Sequence, residues 1–390
     1  METEVKVFLE LVRTALKEEI YQEKITNEQE IYLLARENSL SGLIFPSLNP
    51  ELIDAKLYKS FQKDFYEFLT KDAKQNAVIN SLSEMFSEIP YILLKGSFLK
   101  HLYPSSYMRS MGDIDILIKP EYLPKVHEIL AANNFRNWQN SPDHDCFHNG
   151  KGVLLEIHPK LMAEVDSKYD YLFENPWDWA VQKEGSRYEF QPEYHLIYLL
   201  YHMAKHLTGS GIGFRTILDL CVFAHKEEID WRKVEELLQK AELEKFAKTM
   251  FWLGREYFGT DNFPLLGGFE PEAGVLEIFT DYLVRSGIHG LGSDFNPFVS
   301  RMVKESRSSN DLHKGRRQTL FRIIFPKVSV LKASYSYLNR HIWLLPWAWL
   351  SRLFRLAFKQ RKSSIMKIKK LKIKDDALIE HRDLIEKIGL

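Results

Sequence analysis

YILLKGSFLKHLYPSSYMRSMGDIDILIK, residues Tyr91 to Lys119, sets an apolar strand, a small-residue turn and two spaced carboxylates within one short unit. Tyr91 to Leu94 is a short apolar run with an aromatic start, and Gly96-Ser97 ends it with a pair suited to a tight turn that exposes backbone N–H groups. The spacing predicts a short helix over Phe98 to Leu102. A helix start gathers unpaired N–H donors and partial positive charge, so Gly96 and Ser97 are placed to hold a phosphate, with Lys95 as the adjoining cation.

The second half, Gly112-Asp113-Ile114-Asp115-Ile116-Leu117-Ile118, alternates acid and isoleucine before turning fully apolar. A period of two puts Asp113, Asp115 and Leu117 on one face and sends Ile114, Ile116 and Ile118 to the core. Two carboxylates at a strand start repel each other, and a divalent cation that neutralises them makes the pair tolerable. An isolated Asp-x-Asp is usually only a solvated strand start; the Gly-Ser turn upstream shifts the reading to a hard-cation site. Further on, VLLEIH (Val153 to His158) puts Leu154, Glu156 and His158 on one face. A carboxylate on an otherwise apolar strand is costly unless paired or bound to metal, so Glu156 is the expected third ligand or base beside Asp113 and Asp115. Asn149-Gly150-Lys151-Gly152 supplies a turn that pairs this strand with one around Asp145 to His148.

An apolar strand, Gly-Ser, a spacer, Asp-x-Asp and a later acidic strand together resemble the DNA polymerase β-like nucleotidyltransferase superfamily, and within it the bacterial family of uncharacterised nucleotidyltransferases. The resemblance rests on LLKGSFL (93 to 99), RSMGDIDILI (109 to 118), LEIHPKL (155 to 161), HMAKH (202 to 206) and RTILDL (215 to 220). Fifteen residues separate Ser97 from Asp113, a little more than the superfamily's usual spacer, so the loop carrying Tyr107 to Met111 is longer. The resemblance implies an α+β fold, with a small mixed sheet as nucleotidyltransferase core (89–182) between an N-terminal helical lobe (1–88) and a C-terminal helical lobe (183–390). It also implies transfer of a nucleoside monophosphate from an NTP to an acceptor hydroxyl. Two Mg²⁺ ions are then expected on Asp113, Asp115 and Glu156, with Lys95, Gly96, Ser97, Arg109 and Arg215 toward the nucleotide. The acceptor stays open among a small molecule, a glycan precursor, a protein and tRNA. The competing reading on the same fold is a non-catalytic nucleotide-binding or membrane-surface adaptor.

Composition is consistent with a globular chain of two or three lobes: 390 residues with 45% hydrophobic content can bury a sizeable core. Lys+Arg and Asp+Glu are both 53, so no global field favours nucleic acid. Acids precede the first apolar run and Glu10 interrupts it, which is unlike a leader peptide, and only Cys146 and Cys221 occur. Cytoplasmic residence with reduced thiols is the simplest expectation, and no apolar run approaches membrane-spanning length.

Outside the core, helical spacing recurs over Val7 to Leu16 and Phe61 to Leu69, with Asn27 a candidate cap. His144, Cys146 and His148 fall at period two with His158 across the hairpin, which raises zinc; a polar lining of the cleft explains the same pattern and is preferred for His158. His202 and His206 share a helix face at i, i+4, as do Arg215 and Asp219, which form either a local ion pair or a phosphate contact. His341 to Leu350, HIWLLPWAWL, is followed by Arg352 to Lys374, rich in basic residues and without an acid. For 341–374 packing is the first reading and peripheral membrane contact the second, with RNA also open; Trp343, Trp347 and Trp349 do not share one helical face, and Pro346 interrupts them.

Overall fold

The alternating Asp and Ile residues of 113–118 become the central strand of a seven-stranded mixed sheet. In the computed structural model, which describes residues 3–140, 144–161, 170–260, 263–288, 296–306, 312–326, 328, 331, 335–358, 373 and 375–390, the strands are β1 (Tyr91–Leu93), β2 (Ile114–Ile118), β3 (Arg136–Asn140), β4 (Asp145–His148), β5 (Leu154–His158), β6 (Ala180–Glu184) and β7 (Arg187–Phe190). Their order is β3-β4-β5-β2-β1-β7-β6. Every residue of β2 is buried, as a strand flanked on both sides and covered on both faces must be. The fold is α+β: β1 pairs antiparallel with β2 and parallel with β7, while β2 pairs parallel with β5. The hairpin expected at Asn149 to Gly152 forms between β4 and β5. The β6–β7 hairpin carries the sheet on to Phe190.

Helices surround this sheet, and one apolar cluster runs from Val5 to Ile388 through both helical regions and the strands. The Ala55–Met85 helix begins at Asp54, whose side chain accepts from Lys56 N and Leu57 N. Its middle braces the loop before β2. Asp72 meets the fully buried Lys100 at 2.6 Å and accepts from Ser106 Oγ, while Gln75 Nε2 donates to Met111 O. A second brace comes from Asn38, whose Oδ1 accepts from Phe214 N at 2.8 Å and so caps the Phe214–Lys226 helix from 176 residues upstream. The approach is so close that a Cβ at Gly213 would collide with Asn38 Oδ1.

Two local expectations are corrected and one is met. Asn27 stands before the Glu28–Glu37 helix but its side chain does not cap it, because its amide donates to Glu4 instead. Pro346 does not interrupt a helix: it lies in the first turn of Leu345–Phe358, where a missing N–H breaks no hydrogen bond. The tryptophans divide by face, Trp349 turning inward to donate Nε1 to Pro326 O while Trp343 and Trp347 face solvent. The rest of the basic segment, residues 359–372 and 374, lies outside the described residues.

Removing one partner of a buried ion pair strands the other, at a cost of about 3–5 kcal/mol. Asp72→Ala is therefore expected to lower unfolding free energy by about that amount in urea titration, and Asp72→Leu with Lys100→Met to recover most of it. A single variant as stable as the wild type would contradict the bracing role of this pair.

Candidate active site

Strand register builds the site. Leu93 pairs with Ile116, and Leu94 N donates to Asp115 O at 3.0 Å, so the next residue, Lys95, arrives beside Asp115 with Nζ 2.7 Å from Oδ1. On the other side the parallel register sets Asp115 against Glu156 and Leu117 against His158. His158 Nε2 then lies 2.9 Å from Asp115 Oδ1 and 3.6 Å from Glu156 Oε2. Lys95 and His158 both meet the same oxygen, Oδ1. A cavity of about 340 Å³ opens here, lined on the sheet side by Lys95, Gly96, Asp113, Asp115 and Glu156. His202 and His206 of the Pro192–Leu207 helix and Arg215 and Asp219 of the Phe214–Lys226 helix close the other side.

The carboxylates differ sharply. Burial and the neighbouring charges of Asp115 and Glu156 push the Asp113 carboxyl up to about 7. Asp115 is held far below the usual carboxylate range: its burial opposes ionisation, but the Lys95 charge and the His158 hydrogen bond outweigh it. Lys95 is correspondingly raised, burial being overcome by Asp115. His158 is raised as well, its burial offset by hydrogen bonds to Asp115 and Glu156. Glu156 is lowered; burial and the Asp115 charge work against it, and the His158 bond with the His144 and Lys95 charges prevails. Ligand atoms of Asp115, Glu156 and His158 lie within 4.8 Å of one another. Two carboxylates and an imidazole this close fit a divalent cation, and Asp113, two residues before Asp115, stands outside that close cluster.

The opposite wall corrects the reading of the arginines. Asp219 does not pair with Arg215 one turn away; Arg109 Nε reaches both its oxygens, at 2.6 and 2.9 Å, and Tyr103 Oη donates to it at 2.8 Å. Arg109 is thus a buried cation whose charge is met by Asp219, and it also lines the cavity. Arg215 donates Nη1 to Ser110 O, while its buried Nε has no hydrogen-bond partner. Burial and the Arg109 charge bring Arg215 down to about 9, the signature of a cation short of a counter-charge. His202 and His206 face each other, Nε2 to Nε2 at 3.1 Å, and burial beside Lys95 keeps His202 well below its ordinary value and neutral. Lys71, half-buried on the Ala55–Met85 helix, feels both Asp113 and Arg215; nothing in its sequence context sets it apart from Lys74.

The turn after β1 also differs from the reading of its sequence. The helix begins at Lys95 and not at Phe98, and Lys95, with φ 48°, takes a left-handed backbone. Such a conformation in a residue with a side chain is strained and concentrates at functional sites. Gly96 serves close approach instead: a Cβ there would stand 3.1 Å from Met111 Cβ and 3.3 Å from Arg109 Nη1. Ser97 is fully buried, with its N–H and hydroxyl donating to Leu94 O and its hydroxyl also 3.0 Å from Asp115 O, so it ties the turn to β2. Among the residues that raised zinc, His144 and Cys146 converge on Glu156, at 3.6 and 4.0 Å, whereas His148 stands outside that cluster.

A mixed sheet gathers carboxylates on one side of this cavity, opposite buried cations on the other. Residues 25–259 match the family described as uncharacterised nucleotidyltransferase, and the chain belongs to that family. It is therefore an enzyme that transfers phosphorus-containing groups. No curated protein and no solved structure matches it.

The raised Asp113 value has a consequence for stability without metal. Its folded-state value lies above the free carboxyl's 3.8, so the native protein keeps this proton over roughly pH 4 to 7 and loses stability as pH rises through that window. At about 1.36 kcal/mol per unit, less what solvent screens, the loss is on the order of 2–4 kcal/mol above about pH 7. Asp113→Asn in EDTA is expected to melt above the wild type at pH 8 and level with it near pH 4. A difference that does not change with pH would contradict the carboxylate repulsion.

Proposed function

We propose that the chain transfers a nucleoside monophosphate from an NTP to an acceptor hydroxyl at this cavity, with Asp113, Asp115 and Glu156 as its carboxylate set. The observation that carries the reading is the register that sets Asp115 beside Glu156, with Asp113 two residues upstream, across one cavity from the unpaired Arg215. The polymerase β-like superfamily assignment and a bacterial source belong to the same reading, as does cytoplasmic residence, which the two free buried thiols support.

Each side chain then has a defined task. Arg215, with Lys95 and Lys71 nearby, receives the negative charge of the triphosphate. The Gly96 backbone lines the cavity where the phosphates approach. Two Mg²⁺ ions, when held by Asp113, Asp115 and Glu156, supply Lewis-acid polarisation of the phosphates and lower the pKa of the acceptor hydroxyl. Glu156, oriented by His158 and His144, accepts the hydroxyl proton as the acceptor oxygen bonds to the α-phosphorus and pyrophosphate leaves toward the cations. His158 keeps Asp115 and Glu156 apart and aimed into the cavity. Neutral His202 offers the nucleotide a hydrogen-bonding edge.

Incubating the protein with each α-labelled NTP, Mg²⁺ and cell extract tests this. The wild type is expected to label an acceptor, and Glu156→Gln to cut the rate by about 10²–10⁴-fold while NTP affinity stays within a few fold. NTP binding without label transfer would favour the adaptor reading. Arg215→Met separates the arginines: it is expected to weaken NTP binding by roughly 10–100-fold, the worth of a charge-assisted hydrogen bond, while raising the melting temperature of the free protein. Arg109→Met is expected to destabilise the fold. If both variants bound NTP normally, the cationic wall would have no part in binding.

A further inference from the structure

The exposed face of the Leu345–Phe358 helix is built unlike the rest of the surface. Trp343, in the turn that leads into the helix, and Trp347, Leu350 and Phe354 within it are spaced by four, three and four residues, so they form one stripe. Their exposures are 74%, 66%, 59% and 67%, and Ile342 beside them is 57% exposed. The opposite face has its own partners. Ala348 is buried, the Trp349 ring meets Phe325 at 5.3 Å, and Arg352 Nη1 donates to Ile323 O at 2.7 Å. The helix is therefore already docked through its inner side. Its outer stripe of two tryptophans, a leucine and a phenylalanine is largely exposed, and apolar patches of that kind mark interaction sites.

Charge supplies the second, independent observation. From Leu312 to Lys374 the sequence holds 17 Lys and Arg and no Asp or Glu, so in a chain of net charge zero the remaining residues carry the matching 17 negative charges. The stripe falls within this acid-free span of sequence, which lies beyond the 25–259 family match. Arg340 and Arg355 near the stripe are themselves exposed.

We infer that this face docks on the surface of an anionic phospholipid bilayer, with Trp343, Trp347, Leu350 and Phe354 entering the headgroup boundary and the flanking cations meeting lipid phosphates. Amphipathic helices with tryptophan on the apolar side and Lys or Arg around it lie in the membrane plane in this way. Single-stranded RNA fits less well, since bases stack on aromatic platforms within grooves, whereas this is a convex stripe with Leu350 at its centre. Docking is peripheral: among the described residues no helix is long and apolar enough to cross a membrane. The inference does not depend on which nucleotide or acceptor the active site takes.

Co-sedimentation of the full-length protein with sucrose-loaded vesicles tests it. Vesicles of phosphatidylcholine with about 30% phosphatidylglycerol are expected to bind at least about tenfold more protein than phosphatidylcholine alone, the excess falling in about 0.5 M salt. The variant Trp343→Ser/Trp347→Ser/Phe354→Ser is expected to lose about tenfold or more of that binding with an unchanged thermal melt and elution volume. Brominated acyl chains are expected to quench wild-type tryptophan fluorescence more than that of the variant. Equal binding by the variant, no preference for anionic vesicles, or absence of quenching with full displacement by RNA would overturn the inference, the last result pointing to RNA. Elution of the wild type alone as a dimer that the triple variant abolishes would overturn it in favour of a second copy of this chain.

Discussion

Asp115 is the constraint on which the site depends. It sits on a fully buried strand between β1 and β5, and such a carboxylate persists only when its charge is met on each side. Lys95 meets it from the turn after β1 and His158 from β5, both at hydrogen-bonding distance. Those partners are delivered by backbone register, so a one-residue slip in either pairing would remove them and reverse the faces of the strand. The same register brings Glu156 alongside, and burial together with the charges of Asp115 and Glu156 raises the Asp113 carboxyl to about 7.

The helical regions act as more than covers. Asp72 and Gln75 hold the segment between β1 and β2, and Asn38 caps the helix that carries Arg215 and Asp219. The family match, from residue 25 to 259, takes in these braces together with the sheet. Catalytic geometry here is thus set partly by residues far from the cavity. Within that frame Arg109 and Arg215 are chemically distinct: one is neutralised by Asp219, the other keeps a buried Nε with no hydrogen-bond partner.

Much of the sheet was legible because its signals are local. The alternation at 113–118 and 153–158 and the glycine-rich turn between β4 and β5 gave strands, faces and a hairpin that the structure reproduces. What escaped depends on distant partners. Arg215 and Asp219 share a helix face, but the nearer cation in space is Arg109, 110 residues away in sequence. Gly96 looked like the residue with backbone freedom, while the strain falls on Lys95 because its amine is drawn to Asp115. The β6–β7 hairpin, short and half-exposed, lacks the apolar alternation that marks β2 and β5. The tryptophans of 343–349 could be assigned to faces only once the docking of Trp349 on Phe325 was seen.

The central claim is that three carboxylates hold two cations around one triphosphate, and counting cations tests it most directly. Titrating the protein with Mn²⁺ in the presence of a non-hydrolysable NTP analogue, with free Mn²⁺ followed by electron paramagnetic resonance, gives that count. The account predicts two ions per chain in the wild type and one in Glu156→Gln. Equal stoichiometry in the two proteins, or tight Mn²⁺ binding that survives Asp113→Asn with Asp115→Asn, would contradict it.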